Sequence, residues 1–307
     1  MKYTTLNRIF STYRHGIFVL WSVLCTLQYS YAADTTRTST REQANQYIRS
    51  IKNLKKSVFW PNINPDEFLK NIQEDISNPL AMYQGSNTNF CGYAALSFLP
   101  LNYDPMGHAK NLVNLYQQGN VLYGKALLSP SAAVRRAAGL LKFKGALDIR
   151  QAEQLWFLSL ADHFKSYLNF FNKKYDPGDE NTFWAAVSYG KFNRMIRTLF
   201  NYNVQARGAD LRHPRVGDMY SYLQEQLQKE GTTIVFQNNV YLRKKNKSKI
   251  KPGYPTHFIV LQQIFKDTSG KINMLYWDYG FRSLRQVDDA ILKKIVFGVS
   301  FAFKKIN

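Results

Sequence analysis

The chain of 307 residues carries two cysteines and five histidines. Cys91 stands in "NTNFCGYAAL", where small and apolar residues follow the thiol and predict a short buried helix from Cys91 to Leu99, ended by Pro100. A thiol attacks a carbonyl as its thiolate, so a site that uses one must favour that form and deliver a proton to the leaving group. The start of a helix does the first and a neighbouring imidazole does the second. Gly92 permits close approach of backbone or substrate, and Ala94 and Ala95 let the helix lie tightly on a sheet.

His15 lies in the leader segment, and His108, His163 and His213 fall in or beside helical stretches, where structural or solvent-facing roles are expected. His257 differs because it opens the apolar run "HFIVL", so its ring projects from the start of a strand. An imidazole needs an acceptor to fix its tautomer. Asp278 ends the next run, "INMLYWD", and a hairpin places the start of one strand beside the end of the other. The plainer reading makes Cys91 a small core residue, His257 a satisfied strand-end histidine and Asp278 a turn former.

This order of Cys-Gly-x-Ala-Ala at a helix start, a strand-opening histidine and a strand-closing aspartate resembles the papain-like cysteine hydrolase superfamily, in the manner of the bacterial C39-like peptidases. The resemblance implies a triad of Cys91, His257 and Asp278. It also implies an oxyanion hole built from the Cys91 backbone amide and an upstream side-chain amide. The family places its glutamine one residue nearer the cysteine than Gln84, which lies seven before Cys91; Asn87 and Asn89 are the alternatives. The resemblance covers roughly residues 80–100 and 215–305. It points to peptide, protein or cell-wall substrates cleaved through an acyl-enzyme, as by a bacterial toxin, an effector or a cell-wall amidase. An acyltransferase using the same triad, and a non-catalytic basic protein that binds polyanions on this scaffold, are the other readings.

No H-E-x-x-H, C-x-x-C or Gly-rich loop ahead of a lysine occurs, so neither a metal nor a nucleotide cofactor has local support, and none is expected. Aromatic residues make up 15% of the chain but fit helix and strand cores, so nucleic acid is not expected as a partner.

The N-terminal residues read as an address. Lys2, Arg8 and Arg14 precede the apolar "IFVLWSVLCTL", and Ser30 and Ala32 meet the small-residue rule, which predicts a signal peptide over residues 1–32 and a secreted or periplasmic product. Cleavage removes Cys25 and leaves Cys91 as a lone thiol. No later apolar run reaches the ~20 residues of a spanning helix. The formal charge of +20 falls only by the three basic residues of the leader, which favours an anionic neighbour. The run "RKKNKSKIK", from Arg243 to Lys251, is expected at a hairpin tip just before His257, either as a contact for an anionic surface or as a solvated loop.

These side chains must be positioned by the rest of the chain. Ser39 and Glu42 have capping-box spacing ahead of Ala44, Tyr47, Ile48, Ile51 and Leu54, so a lead and helix are expected over residues 33–58. A catalytic domain is expected over 59–307. Residues 60–90 read as loop-rich, with Pro61, Pro65 and Pro79 as breakers around a short helix. The stretch from about 107 to 230 reads as helical throughout, a helical elaboration in which Trp156, Leu160, Phe164, Tyr167, Leu168 and Phe171 share a face. The runs "TTIVFQNNVYL", "THFIVLQQI", "INMLYWDY" and "IVFGVSFAF" predict a C-terminal antiparallel sheet. Helices first and strands last is an α+β order.

Overall fold

Two helical signals one residue apart compete at the N-terminal side, and tertiary contacts choose between them. In a computed structural model, which describes residues 37–85, 87–142, 149–165, 174–242, 253–278 and 280–305, helix α1 spans Arg41–Ser50. Its capping box is Thr40 with Gln43 and not Ser39 with Glu42: the Gln43 amide donates to Thr40 Oγ1 at 3.1 Å and the Thr40 amide donates to Gln43 Oε1 at 2.8 Å. The Ser39 hydroxyl is occupied elsewhere, donating to Asp104 at 2.6 Å and accepting from the Met106 amide at 3.0 Å. Helix α1 ends before Ile51 and Leu54, and Leu54 is buried from the extended chain that follows.

Pro65 starts a helix instead of breaking one. Helix α2, Pro65–Ser77, takes the proline at a first-turn position where no amide is needed, and Asn64 caps the Asp66 and Glu67 amides. Helix α3, Cys91–Tyr103, begins at the cysteine as expected but runs through Pro100. The proline gives up one backbone bond, yet Leu96, Leu99 and Leu101 around it are all buried, and that packing keeps the helix going until the Asp104 amide closes on the Pro100 carbonyl at 2.8 Å.

The middle of the chain is less helical than its periodicity predicts. After α4, Pro105–Gln118, a hairpin of β1, Val121–Tyr123, and β2, Ala126–Leu128, interrupts it. Helices α5, Ala132–Ala137, α6, Gln151–Phe164, and α7, Tyr189–Leu199, follow. Helix α6 is buried on nearly every side, and the expected face residues Tyr167, Leu168 and Phe171 lie outside the described residues. The next element is a strand, β3, Tyr202–Gly208, then helix α8, Met219–Gln228. β3 sits at a sheet edge with most of its residues exposed, so it lacks the apolar signature of a strand.

The C-terminal third forms β4, Thr232–Gln237, β5, His257–Lys266, β6, Ile272–Asp278, β7, Phe281–Val287, helix α9, Asp289–Ile295, and β8, Val296–Lys304. β7 and α9 occupy what reads in the sequence as a short polar segment; β7 is the other edge strand and keeps only Ser283 and Val287 buried. The sheet order is β3-β8-β4-β5-β6-β7, with every neighbouring pair antiparallel. The fold is therefore α+β, with α1 to α7 ahead of the main sheet and α8 and α9 between its strands.

The sheet separates two cores. Phe236, Phe258, Val260 and Trp277 pack on the side of α3, α6 and α7, while Ile259, Leu261, Met274 and Tyr276 pack on the other with Leu223 of α8 and Leu292 of α9. Phe258 lies at the centre of an aromatic stack, its ring centroid 4.0 Å from that of Phe236 and 4.4 Å from that of Phe192. Residues from Thr38 onward make one compact unit, so α1 packs with the rest through Ala44 and Ile48. Among the described residues, no helix is long and apolar enough to cross a membrane.

Candidate active site

Cys91 is the first residue of α3, and the residue before it, Phe90, has no side-chain acceptor for the helix amides. The first-turn amides thus stay without a side-chain cap, and the positive end of the helix dipole lies at the thiol. Gly92 seats this helix on the sheet. A Cβ there would come within 3.1 Å of Val187 Cβ and 3.5 Å of the Phe258 ring, so a larger residue would push α3 away from β5.

His257 opens β5 and Asp278 closes β6. Their pairing register brings the two ends together: His257 Nε2 donates to Asp278 Oδ1 at 2.6 Å, and both side chains are buried. The Cys91 side chain lines the same small cavity as the ring and acts on its pKa. With Nε2 held by the carboxylate, Nδ1 is the nitrogen left to the thiol. Burial alone would lower the pKa of this imidazole, but Asp278 and Cys91 outweigh it and push it up from 6.5 to about 9. The site favours the imidazolium form of His257.

Gln84 is buried and lines one small cavity with Cys91, Ala94, His257 and Asp278, closed by Met82, Phe258 and Trp277. That cavity holds about 10 Å³, room for roughly one water. The chain covers the offset of seven from Gln84 to Cys91 by turning at Gly85, whose φ of +89° is costly for any residue with a Cβ. A Cβ there would also meet Thr88 and Ile149 at 2.8–2.9 Å. Thr88 closes the turn by donating its hydroxyl to the Gln84 carbonyl at 2.5 Å. The two alternative amides are elsewhere: Asn89 donates its side chain to the Thr182 carbonyl at 2.8 Å, and Asn87 is exposed.

Among the described residues, His108, His163 and His213 do not line this cavity. His108 is buried with Nδ1 3.0 Å from the Tyr123 hydroxyl, and burial lowers its pKa to about 3. His213 donates Nδ1–H to the Val296 carbonyl at 2.8 Å. The expected leader and the basic run from Arg243 to Lys251 lie outside the described residues. That run belongs to the connection between β4 and β5, whose paired ends are Gln237 and His257.

Two sets of residues escape sequence reasoning. Trp277 walls the cavity beside Asp278, fixed by its indole donating to the Leu80 carbonyl at 2.8 Å and by its contact with the Phe98 ring. A buried charge network then braces the strand of chain that carries Gln84. Glu153 accepts the Tyr83 amide at 3.3 Å, and Arg150 joins Glu153 at 2.5 Å, Glu74 at 2.8 Å and Asp75. Burial raises the Asp75 carboxyl well above its usual range and Glu153 adds to this, while Arg150 opposes it. The spacing of Arg150 and Glu153 hints at a helix-start pair, but nothing in the sequence joins them to Asp75 or Tyr83.

Among the described residues, no group of three or more His, Cys, Asp or Glu side chains could hold a metal ion. No family model matches the sequence, and no curated protein matches it.

Proposed function

We propose that the protein is an exported thiol hydrolase of papain-like type that cleaves peptide or other amide bonds, with a peptide, a protein or a cell-wall polymer as substrate. The observation that carries this reading is the imidazole of His257, held between the Cys91 side chain and the Asp278 carboxylate in a shared cavity.

Each group has a role set by its position. Cys91 Sγ attacks the carbonyl carbon, with its proton held by His257 Nδ1. The carbonyl electrons move onto oxygen, where the Cys91 amide and the Gln84 side-chain amide donate to the oxyanion. As the C–N bond breaks, His257 passes its proton to the leaving amine, giving a thioester. Water then loses a proton to His257 and attacks the thioester, and the thiol is released protonated or as the ion pair. Asp278 keeps Nε2 protonated and the ring in place, and stabilises the imidazolium.

The cavity has room for about one water, so the acyl portion of a substrate approaches from the side on which Cys91 keeps partial exposure. Incubating the protein and its Cys91→Ala form with peptidoglycan and with a proteome, and comparing products by mass spectrometry, tests the reading. New amine and carboxylate termini that depend on Cys91 are expected. Identical product lists for the two proteins would overturn it.

A further inference from the structure

Three arginines gather at the end of β3 and in the turn that follows it. The Ala209 amide donates to the Arg212 carbonyl at 2.9 Å, and the isolated bridge between these residues folds the chain back on itself. Arg207, Arg212, His213 and Arg215 then line an open cavity of about 570 Å³ together with Gly208, Ala209 and Leu211. All three arginines are exposed, and among the described residues none of them forms an ion pair with a carboxylate. The nearest acid in the chain, Asp210, is turned to the Tyr189 amide, which donates to its Oδ1 at 2.8 Å.

The cluster is braced from below. The Arg207 guanidinium lies over the Tyr222 ring, 5.7 Å from its centroid. The His213 ring packs on Phe297 at 4.2 Å between centroids, with Nδ1 held by the Val296 carbonyl. Like charges gathered in one concavity repel one another, so the arrangement gains from a bound anion. Guanidinium forks match the oxygen geometry of phosphate, two parallel N–H bonds at a time. A cavity of this size falls in the range of small-molecule sites and exceeds a single orthophosphate.

We infer that the cavity formed by Arg207, Arg212 and Arg215 is a binding site for a ligand bearing more than one phosphoryl group. The site is separate from Cys91. The sheet register carries it to the same end as His257: Gly208 pairs with Gly298, Gly298 with Phe236, and the neighbouring Gln237 with His257. Three strand spacings of ~4.8 Å put the two sites roughly 14 Å apart across the sheet. Binding at the arginines needs no chemistry at the thiol, so it is tested by binding alone.

The ligand could be soluble or the headgroup of a lipid, and the experiment separates these sources. Titrating the protein with inorganic pyrophosphate in a calorimeter, and sedimenting it with phosphatidylcholine vesicles with and without cardiolipin, whose headgroup carries two phosphates, gives the two arms. Loss of one charged bond corresponds to roughly tenfold in affinity. Arg212→Gln and Arg215→Gln should therefore each weaken binding about tenfold, and the triple variant with Arg207→Gln should abolish saturation. A charge-matched control, Lys52→Gln with Lys55→Gln and Lys56→Gln on another exposed segment, should bind within about twofold of the wild type. Saturable pyrophosphate binding identifies a soluble ligand; vesicle binding without it identifies a headgroup. Absence of both, or an equal loss in the lysine control, overturns the proposal.

Discussion

His257 and Asp278 meet across the ends of two paired strands, Nε2 to Oδ1 at 2.6 Å, with only a hairpin of chain between them. The contact is local in sequence and rigid in structure. It fixes which ring nitrogen the carboxylate holds.

Replacing Asp278 with asparagine should leave the fold intact and lower kcat/KM by roughly 10²–10⁴-fold. An amide neither stabilises the imidazolium nor enforces the same tautomer. Circular dichroism beside steady-state kinetics on the substrate found above checks both halves, and unchanged turnover would mean that Asp278 does not orient the ring.

The raised pKa of His257, about 9, sets a pH limit. Turnover should fall as pH rises through about 9, because the leaving amine then lacks its proton donor. The same shift is a statement about stability. The folded pKa lies above the usual 6.5, so the stabilisation is fully present below that value and is lost as pH rises through about 9. Thermal melts of the wild type and His257→Gln should therefore differ most near pH 6 and converge by about pH 10. A gap that widens with pH would contradict the ion-paired imidazolium.

Gln84 and Asn89 are separated by a direct comparison. Gln84→Ala should cost roughly 10²–10³ in kcat, the price of one oxyanion donor. Asn89→Ala removes a bond to the Thr182 carbonyl and should affect melting temperature more than kcat. The reverse ranking would move the oxyanion site to Asn89.

Arg150→Gln leaves the buried carboxyl groups of Asp75 and Glu153 without their cation. Breaking one side of such a network costs roughly 3–5 kcal/mol, measurable by chemical denaturation. Because Glu153 also holds the Tyr83 amide, kcat should fall in parallel while the His257 pH limit stays where it is. A stable variant with full kcat would show that the network does not support Gln84.

Much of the dyad was legible because both strands announce themselves. "HFIVL" and "INMLYWD" are apolar and β-branched or aromatic, so their ends could be read and their pairing inferred. Gln84 was legible only through a resemblance that placed its counterpart one residue nearer the cysteine; Gly85 supplies the turn that absorbs the difference. The edge strands β3 and β7 were not legible, since an edge strand with one solvated face needs few apolar residues. Pro100 misled because a local rule for helix ends was outweighed by burial around it. The Asp75–Arg150–Glu153 network depends on α2 and α6 coming together, and no spacing in the sequence encodes that meeting.

β8, the last strand, lies inside the sheet between β3 and β4 and not at its rim. β4, β5 and β6 can zip up as successive hairpins, but the join between this ladder and β3 needs β8, which follows all of them in sequence. Pairings between distant segments are the slow part of folding. The sheet under α3 is therefore completed by a pairing between segments far apart in sequence, β8 with β3. Deleting residues from Val296 onward should leave Cys91 without its partner.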